Sequence, residues 1–368
     1  MPEDLLLFIG TLNREAPYFQ GARGNGLNVY AFDEDNLQAV HLAEFGGIDN
    51  PTYLSVSPDG TRIYANSEIF GWAEGVVSAL AFDRAARRIL PLNMQTTLGS
   101  IPAHNAISRD GRRLFLVNYT IGDSGPDQSL VIFGLRPDGG LSPVKSSAAH
   151  RGHGPNAARQ ERAHAHSVTE VADNLVIVAD LGTDQLVTYR IAKDGTPERV
   201  AVTATAPGAG PRHLALHPNG RFVFVMNELD STVTAHDFDP ETGRLTPIDS
   251  QPAVPEEVRD SNHCSDIQIS PDGRFLYGGN RGHDSIAIFA VDQETGRLTP
   301  LGHAPCGGAT PRNLALTPSG RHLLSANQNA DRVSILRRDA VTGLLEDTGV
   351  SIAIGTPMCL KFAVPPAS

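Results

Sequence analysis

The chain has few aromatic residues, few cysteines and no cluster of basic side chains, and each shortage excludes something. Aromatics are 6% of 368 residues, so the core has to be built from Val, Leu, Ile and Ala within a 40% hydrophobic total. The three cysteines, Cys264, Cys306 and Cys359, are widely spaced and form no CxxC pair. That pattern argues against a disulfide framework and points to a reducing compartment, the cytoplasm. The formal net charge is −11 with no Lys/Arg run to oppose it, which makes nucleic acid a poor partner. An anionic small molecule stays open, because a few local arginines can override the overall sign. The N-terminal MPEDLLLFIGTLN lacks a basic leader, and no apolar run approaches the roughly 18 residues of a membrane helix, so no membrane role is expected.

What the chain does have is glycine and proline, 36 and 26 of them, punctuating a repeat. PTYLSVSPDGTRIYANSE from Pro51, PAHNAISRDGRRLFLVNYT from Pro102 and HAHSVTEVADNLVIVADLG from His164 each read as strand, tight turn, strand. PRHLALHPNGRFVFVMNEL from Pro211, CSDIQISPDGRFLYGGNRG from Cys264 and PRNLALTPSGRHLLSANQN from Pro311 follow the same plan. The Asn or Asp that ends each second strand falls at 66, 118, 180, 227, 280 and 327, at intervals of 52, 62, 47, 53 and 47. The long interval holds an insertion around 145–163.

A seventh copy is split. PMCLKFAV from Pro357 is a first strand without a successor, and LLLFIGTLN from Leu5 is a second strand without a predecessor. Counting from Asn327 through the C-terminus and round to Thr11 gives 52 residues, the same period. Seven outer hairpins, from FDEDNLQAV to RDAVTGLLED, complete the count. The repeat predicts an all-β, seven-bladed propeller of four-stranded blades, residues 1–368 as one domain, its ring closed by pairing of the two terminal strands.

In such a ring, equivalent positions on the first strands lie at equal depth in the central channel. Two residues after each opening position stand Tyr53, His104, His166, His213, Asp266, Asn313 and Cys359, where a packed core strand would carry apolar side chains. Seven such residues predict a wet, functional channel mouth. Neighbouring columns supply His164, Arg212 and Arg312. The residue after each landmark Asn/Asp is Ser67, Tyr119, Leu181, Glu228, Arg281 and Gln328, so one carboxylate and one guanidinium break the repeat. His164 and His166, two apart on a strand, are expected to point the same way. Each candidate also has a structural reading: histidines bonding backbone groups across the channel, arginines tying blades together, Glu228 pairing with one of them. Residues on separate blades of a wide channel do not converge easily on one point, so no metal is expected.

Together, GHGPNAARQERAHAHSV at 152–168, VADLGTDQL at 178–186, GAGPRHLALHPNGRFVFVMNEL at 208–229, ISPDGRFLYGGNRGHDSIAIF at 269–289 and GGATPRNLALTPSG at 307–320 resemble the propeller lactonase family. That family includes propeller-type 6-phosphogluconolactonases and carboxy-cis,cis-muconate cyclases. The resemblance covers essentially the whole chain, with a looser match around NSEIFGWAEG at 66–75. It implies a site at one channel mouth that needs no metal or organic cofactor. It places the family's catalytic His, two Arg and Glu on His164, Arg212, Arg281 and Glu228. The chemistry of those side chains allows His164 or Glu228 as general base; His164 is assigned as acid/base, with Glu228 orienting it or activating water. His104, His166, His213, Asp266, Arg312, Asn313 and Gln328 are then expected to bind substrate. The implied reaction is hydrolysis of a sugar lactone, 6-phosphogluconolactone first. A muconate-lactonising reaction and a non-catalytic binding platform are the alternatives. The platform is disfavoured by a single tryptophan, Trp72, and few surface-type aromatics. Lys361 is one of very few lysines near a channel strand, a thin provision for phosphate.

Overall fold

The computed structural model describes residues 5–121 and 125–364. It contains seven four-stranded antiparallel sheets, each running from an inner strand at the channel outward. Blade 1 spans Tyr53–Thr96, blade 2 Pro102–Ala148, blade 3 Ala165–Ala204, blade 4 Pro211–Pro252, blade 5 His263–Pro305 and blade 6 Pro311–Ala353. Blade 7 takes its inner strand, Pro357–Ala363, from one end of the chain and its other three from Leu5–Phe45. Leu6 pairs with Ala363, Phe8 with Lys361 and Gly10 with Cys359, so the ring closes as the repeat predicts.

The apolar side chains fall into seven clusters, one at each contact between neighbouring blades. Leu6 and Phe8 of blade 7 meet Leu54, Ile63 and Leu80 of blade 1. Phe222, Phe224 and Met226 of blade 4 meet Leu276 and Phe289 of blade 5. A strand buried on both faces explains why second strands such as FVFVMN and LVIVAD read as unbroken apolar runs. The landmark Asn and Asp residues are structural: they carry the second strand's polar end into the core. Asn118 donates to the Thr97 carbonyl, Asn280 to Ala253 and Asn327 to Cys306. The Asp180 carboxylate accepts the backbone N–H groups of His164, Gly182 and Thr183.

The inner hairpins turn at one end of the channel. Gly60, Gly111, Gly220, Gly273 and Gly320 each sit at φ between 67° and 73°, closing a turn that begins at Ser57, Ser108, His217, Ser270 or Thr317. The left-handed position makes glycine the natural residue there. Blade 3 is different. Its turn has Asn174 in the left-handed region and is one residue shorter: Ala165 pairs with Asp180, 15 positions on, whereas Pro102, Pro211 and Pro311 pair 16 positions on. Among the described residues no helix is long and apolar enough to cross a membrane.

Candidate active site

Four of the inner strands, those of blades 2, 3, 4 and 6, begin with the same register skip. It falls between Pro102 and His104, Ala165 and Ser167, Pro211 and His213, and Pro311 and Asn313. The unpaired residue of such a bulge is re-aimed away from the ladder. Here the bulged residues are Ala103, His166, Arg212 and Arg312, and all four line a cavity of about 690 Å³ at the channel end opposite the hairpin turns. The next ring inward is Tyr53, His104, Ser167, His213, Asp266, Asn313 and Cys359.

The shorter turn of blade 3 corrects the sequence reading. A constant spacing puts His166 beside His213, whereas the true register puts it level with Arg212. His164 lies one residue before the strand and is outside the cavity wall. Its ring stacks on Tyr119 at 4.1 Å, its Nδ1 bonds the Tyr119 carbonyl at 2.7 Å and its Nε2 faces Glu161 at 3.2 Å. His164 and His166 therefore do not share a role: His164 backs Tyr119, and His166 faces the cavity.

Glu228 is the hub of the cavity. It follows the second strand of blade 4 and is held by its N–H to the Gly210 carbonyl. Its Oε2 pairs with Arg212 Nε and Arg281 Nη2, both at 2.9 Å, and its Oε1 with Arg159 Nη2 at 2.5 Å. Burial alone would raise its pKa, but Arg281, Arg159 and Arg212 hold the carboxyl well below the usual range. Arg212 also donates to the Ser265 carbonyl at 2.7 Å, and Arg281 to the Cys264 carbonyl at 2.9 Å. Burial, with Arg281 adjacent, pulls Arg212 down to about 9, so it remains a cation at neutral pH.

His166 is poised differently. Burial, then Arg212 and His213, push its pKa well below the ordinary histidine value, so the imidazole is neutral near pH 7. Its Nδ1 is buried without a protein partner. His213 stands beneath it, the rings 5.4 Å apart. Arg212 Nη1 donates to His213 Nε2 at 3.2 Å, which puts the His213 proton on Nδ1, donated to Asp266 Oδ1 at 2.7 Å. Burial and Arg212 push His213 down to about 4. The other Asp266 oxygen accepts from Asn313 at 2.6 Å, the Leu314 N–H at 3.0 Å and Gln268 at 3.3 Å.

The predicted wet ring is therefore a packed waist. Tyr53, His104 and His213 pack against one another with ring centroids 4.0 to 5.9 Å apart, His213 edge-on to the other two, all buried. The waist divides the channel in two. Tyr53 and His213 face both sides, while His104 and Asp266 line only the second cavity, of about 400 Å³, at the hairpin end. The structure places His104 and Asp266, both expected among the substrate contacts, in the waist and facing the second cavity. Lys361 also belongs to the second cavity, its ammonium donating to Tyr53 OH at 3.0 Å. Asn313, Gln328, Arg212, Arg281 and Arg312 line the first.

Loops supply groups the repeat did not reveal. Arg159 comes from the long insertion and Tyr18 from the 12–26 loop; Glu68 and Phe70 follow the second strand of blade 1, and His263 opens blade 5. Arg159 was the most accessible of these to sequence reasoning, as one of three arginines within 151–162. Among the described residues, no three His, Cys, Asp or Glu side chains are grouped to hold a metal ion.

A cavity of guanidinium groups ringed about one carboxylate, at the loop end of seven radial blades, is suited to an electrophilic carbonyl whose oxygen gains negative charge. The chain belongs to the seven-bladed β-propeller lactonases, whose family model matches residues 6–362. It is a lactonase, opening the cyclic ester of a small-molecule lactone. It is 34% identical over 296 residues to a 6-phosphogluconolactonase of Bacillus subtilis, covering 79% of this chain and 81% of that one. A 6-phosphogluconolactonase of Formosa agariphila is 34% identical over 317 residues, 84% and 86% of the two chains. The structure of a periplasmic gluconolactonase from Pseudomonas aeruginosa superposes with a TM-score of 0.88 at 30% identity, covering 98% of this chain and 99% of that one. A relative in the periplasm means that family membership does not itself fix the compartment.

Proposed function

We propose that the chain hydrolyses a negatively charged sugar lactone, 6-phosphogluconolactone first, in the arginine cavity. The observation that carries this is local charge. Arg159, Arg212, Arg281 and Arg312 line the cavity against two carboxylates, Glu68 and Glu228. That is a surplus of two positive charges in a chain of net charge −11. A phosphate ester tail of about −1.5 to −2 matches it.

In this reading His166 is the base, in the role the sequence assigned to His164. Its neutral imidazole takes a proton from water as the water oxygen attacks the lactone carbonyl carbon. The carbonyl π electrons move to oxygen, and the developing oxyanion lies against the guanidinium groups held by Glu228. Collapse re-forms the carbonyl and breaks the ring C–O bond. The departing ring oxygen takes the proton from the His166 imidazolium. The product is a hydroxy acid, which ionises and releases one proton. Glu228, acidified by three guanidiniums, is a weak base and serves to fix their geometry.

The three cysteines, all buried and free, support a reducing, cytoplasmic setting. The test is proton release in a pH-stat with 6-phosphogluconolactone and unphosphorylated gluconolactone, spontaneous opening subtracted. Turnover faster on the phosphorylated substrate is expected. Equal turnover removes the anionic preference, and no acceleration on either removes the sugar-lactone reading.

A further inference from the structure

Three of the four cavity arginines are tied to Glu228, and the fourth is not. Arg159, Arg212 and Arg281 bond Glu228 at 2.5 to 2.9 Å, and Arg212 and Arg281 add backbone carbonyls. Arg312 has no such partner. Its Nη1 is 3.4 Å from Gln328 Oε1, its Nη2 3.4 Å from Tyr18 OH and 3.8 Å from a Glu68 oxygen. Charge-assisted bonds between guanidinium and carboxylate run about 2.7–2.9 Å, so every one of these contacts is slack.

Glu68 does not need Arg312. Its Oε1 accepts from Tyr18 OH at 2.8 Å and its Oε2 from Thr52 Oγ1 at 2.7 Å. What Arg312 does have is a platform. Its Cζ lies 5.0 Å over the Tyr18 ring, and that ring is braced edge-on against Phe70 at 5.6 Å and tethered through Glu68. The stack fixes the plane of the guanidinium while leaving its N–H edge to the cavity. The bulge between Pro311 and Asn313 aims it there.

We propose that Arg312, seated on Tyr18, is the residue that reads the substrate's anionic tail, and that this tail is a phosphate. The proposal rests on the lactonase reading above and assigns the specificity of that site. Bound there, the tail stands apart from the Glu228 cluster, which is left to the ester carbonyl. The loosely held fork exchanges these long contacts for two phosphate oxygens, a bidentate geometry that a lysine cannot reproduce. A planar carboxylate tail is the competing anion with the same chemistry.

The experiment measures kcat and KM for wild type, Arg312→Gln and Arg312→Lys. The substrates are 6-phosphogluconolactone, gluconolactone and a lactone of glucaric acid that carries a carboxylate on the tail. Arg312→Gln is expected to cost the phosphorylated substrate about 10- to 100-fold more in kcat/KM than gluconolactone, chiefly through KM, as loss of a charge-assisted pair implies. Arg312→Lys recovers part of that ratio. Equal losses on both substrates, or none, overturn the proposal, and wild-type preference for the carboxylate tail overturns the choice of phosphate. Calorimetry with 6-phosphogluconate separates this from failure of the lactonase reading. If no lactone turns over, weaker binding of that ligand by folded Arg312→Gln still supports the subsite, and unchanged binding sinks it.

Discussion

The two ends of the channel share the inner strands of six blades and have opposite chemistry. At the hairpin end, Arg109 and Lys361 are balanced by Glu170 and Asp266. At the other end four arginines face two carboxylates. The difference follows from the connections. Inner hairpins with a left-handed glycine have a fixed length, so the hairpin end cannot take up extra residues without breaking the turn. Links at the other end are free to lengthen, and they do: 12–26 brings Tyr18, the link after blade 1's second strand brings Glu68 and Phe70, and 149–164 brings Arg159. Regular hairpins hold the ring together; irregular links furnish the chemistry.

The largest effect that would test this asymmetry is expected at His166. His166→Ala should lower kcat by about 10²- to 10⁴-fold, the span of general base catalysis. His164→Ala, which removes the ring behind Tyr119, should lower the melting temperature and cost kcat far less; the reverse ranking would return the acid/base role to His164. The wild-type pH profile sharpens the point. A base with a depressed pKa keeps its activity as pH falls through about 6.5, the ordinary histidine value, and loses it only below. An acid limb at or above 6.5 would contradict a buried, cation-flanked imidazole.

A middle effect is expected at the waist, where the two ends communicate. Asp266→Asn leaves a single amide oxygen, which the Asn313, Leu314 and Gln268 donors claim, so its NH2 group faces His213 Nδ1 and drives the ring proton to Nε2. The other tautomer presents an N–H to Arg212 in place of a lone pair. Arg212 should then lose its seat, with kcat falling about tenfold for one misplaced charge-assisted contact. KM should change less, and the chain should stay folded. Loss of stability with unchanged kcat would make Asp266 a purely structural residue.

The smallest effect is expected at the hairpin end. Lys361→Met keeps the length of the side chain and removes a charge that the arginine cavity does not use. Turnover should stay within about twofold, while the loss of a partner for Tyr53 should register in a thermal melt as about 1 kcal/mol. A large fall in kcat there would mean that both ends take part in the reaction.

Much of the architecture was legible because it is written seven times. The landmark residues from Asn66 to Asn327 fixed the blade count, and the split copy at Leu5 and Pro357 fixed the closure. The placements of Arg212, Glu228, Arg281 and Arg312 could be read because blades 4 to 6 keep the common hairpin length. Blade 3 could not be read the same way. It lacks the opening proline and the turn glycine, and its hairpin is one residue short, so His164 took the place that belongs to Ala165. In a strand a slip of one residue changes which side chain faces the channel. Tyr18 and Arg159 lie in links where no repeat exists to compare, and Glu68 was missed because Asn66 stands one residue before its strand ends at Ser67, so that Glu68 and not Ser67 is the counterpart of Glu228.

The closure strand carries a further consequence, one of order in time. Leu5–Thr11 leaves the ribosome early, yet its inner neighbour Pro357–Ala363 is made more than 340 residues later. Six blades can assemble beside their neighbours as they emerge, but blade 7 is left with three strands and an unpaired edge throughout. Leu6, Phe8 and Leu7, Ile9 point to the two clusters on either side of that blade, and neither cluster is complete until Cys359 and Leu360 arrive. Pairing across so long a span is slow, and the waiting edge is open to any other strand. The strand that completes blade 7 in the finished ring is also the reason the nascent chain holds that edge open for almost the whole of its synthesis.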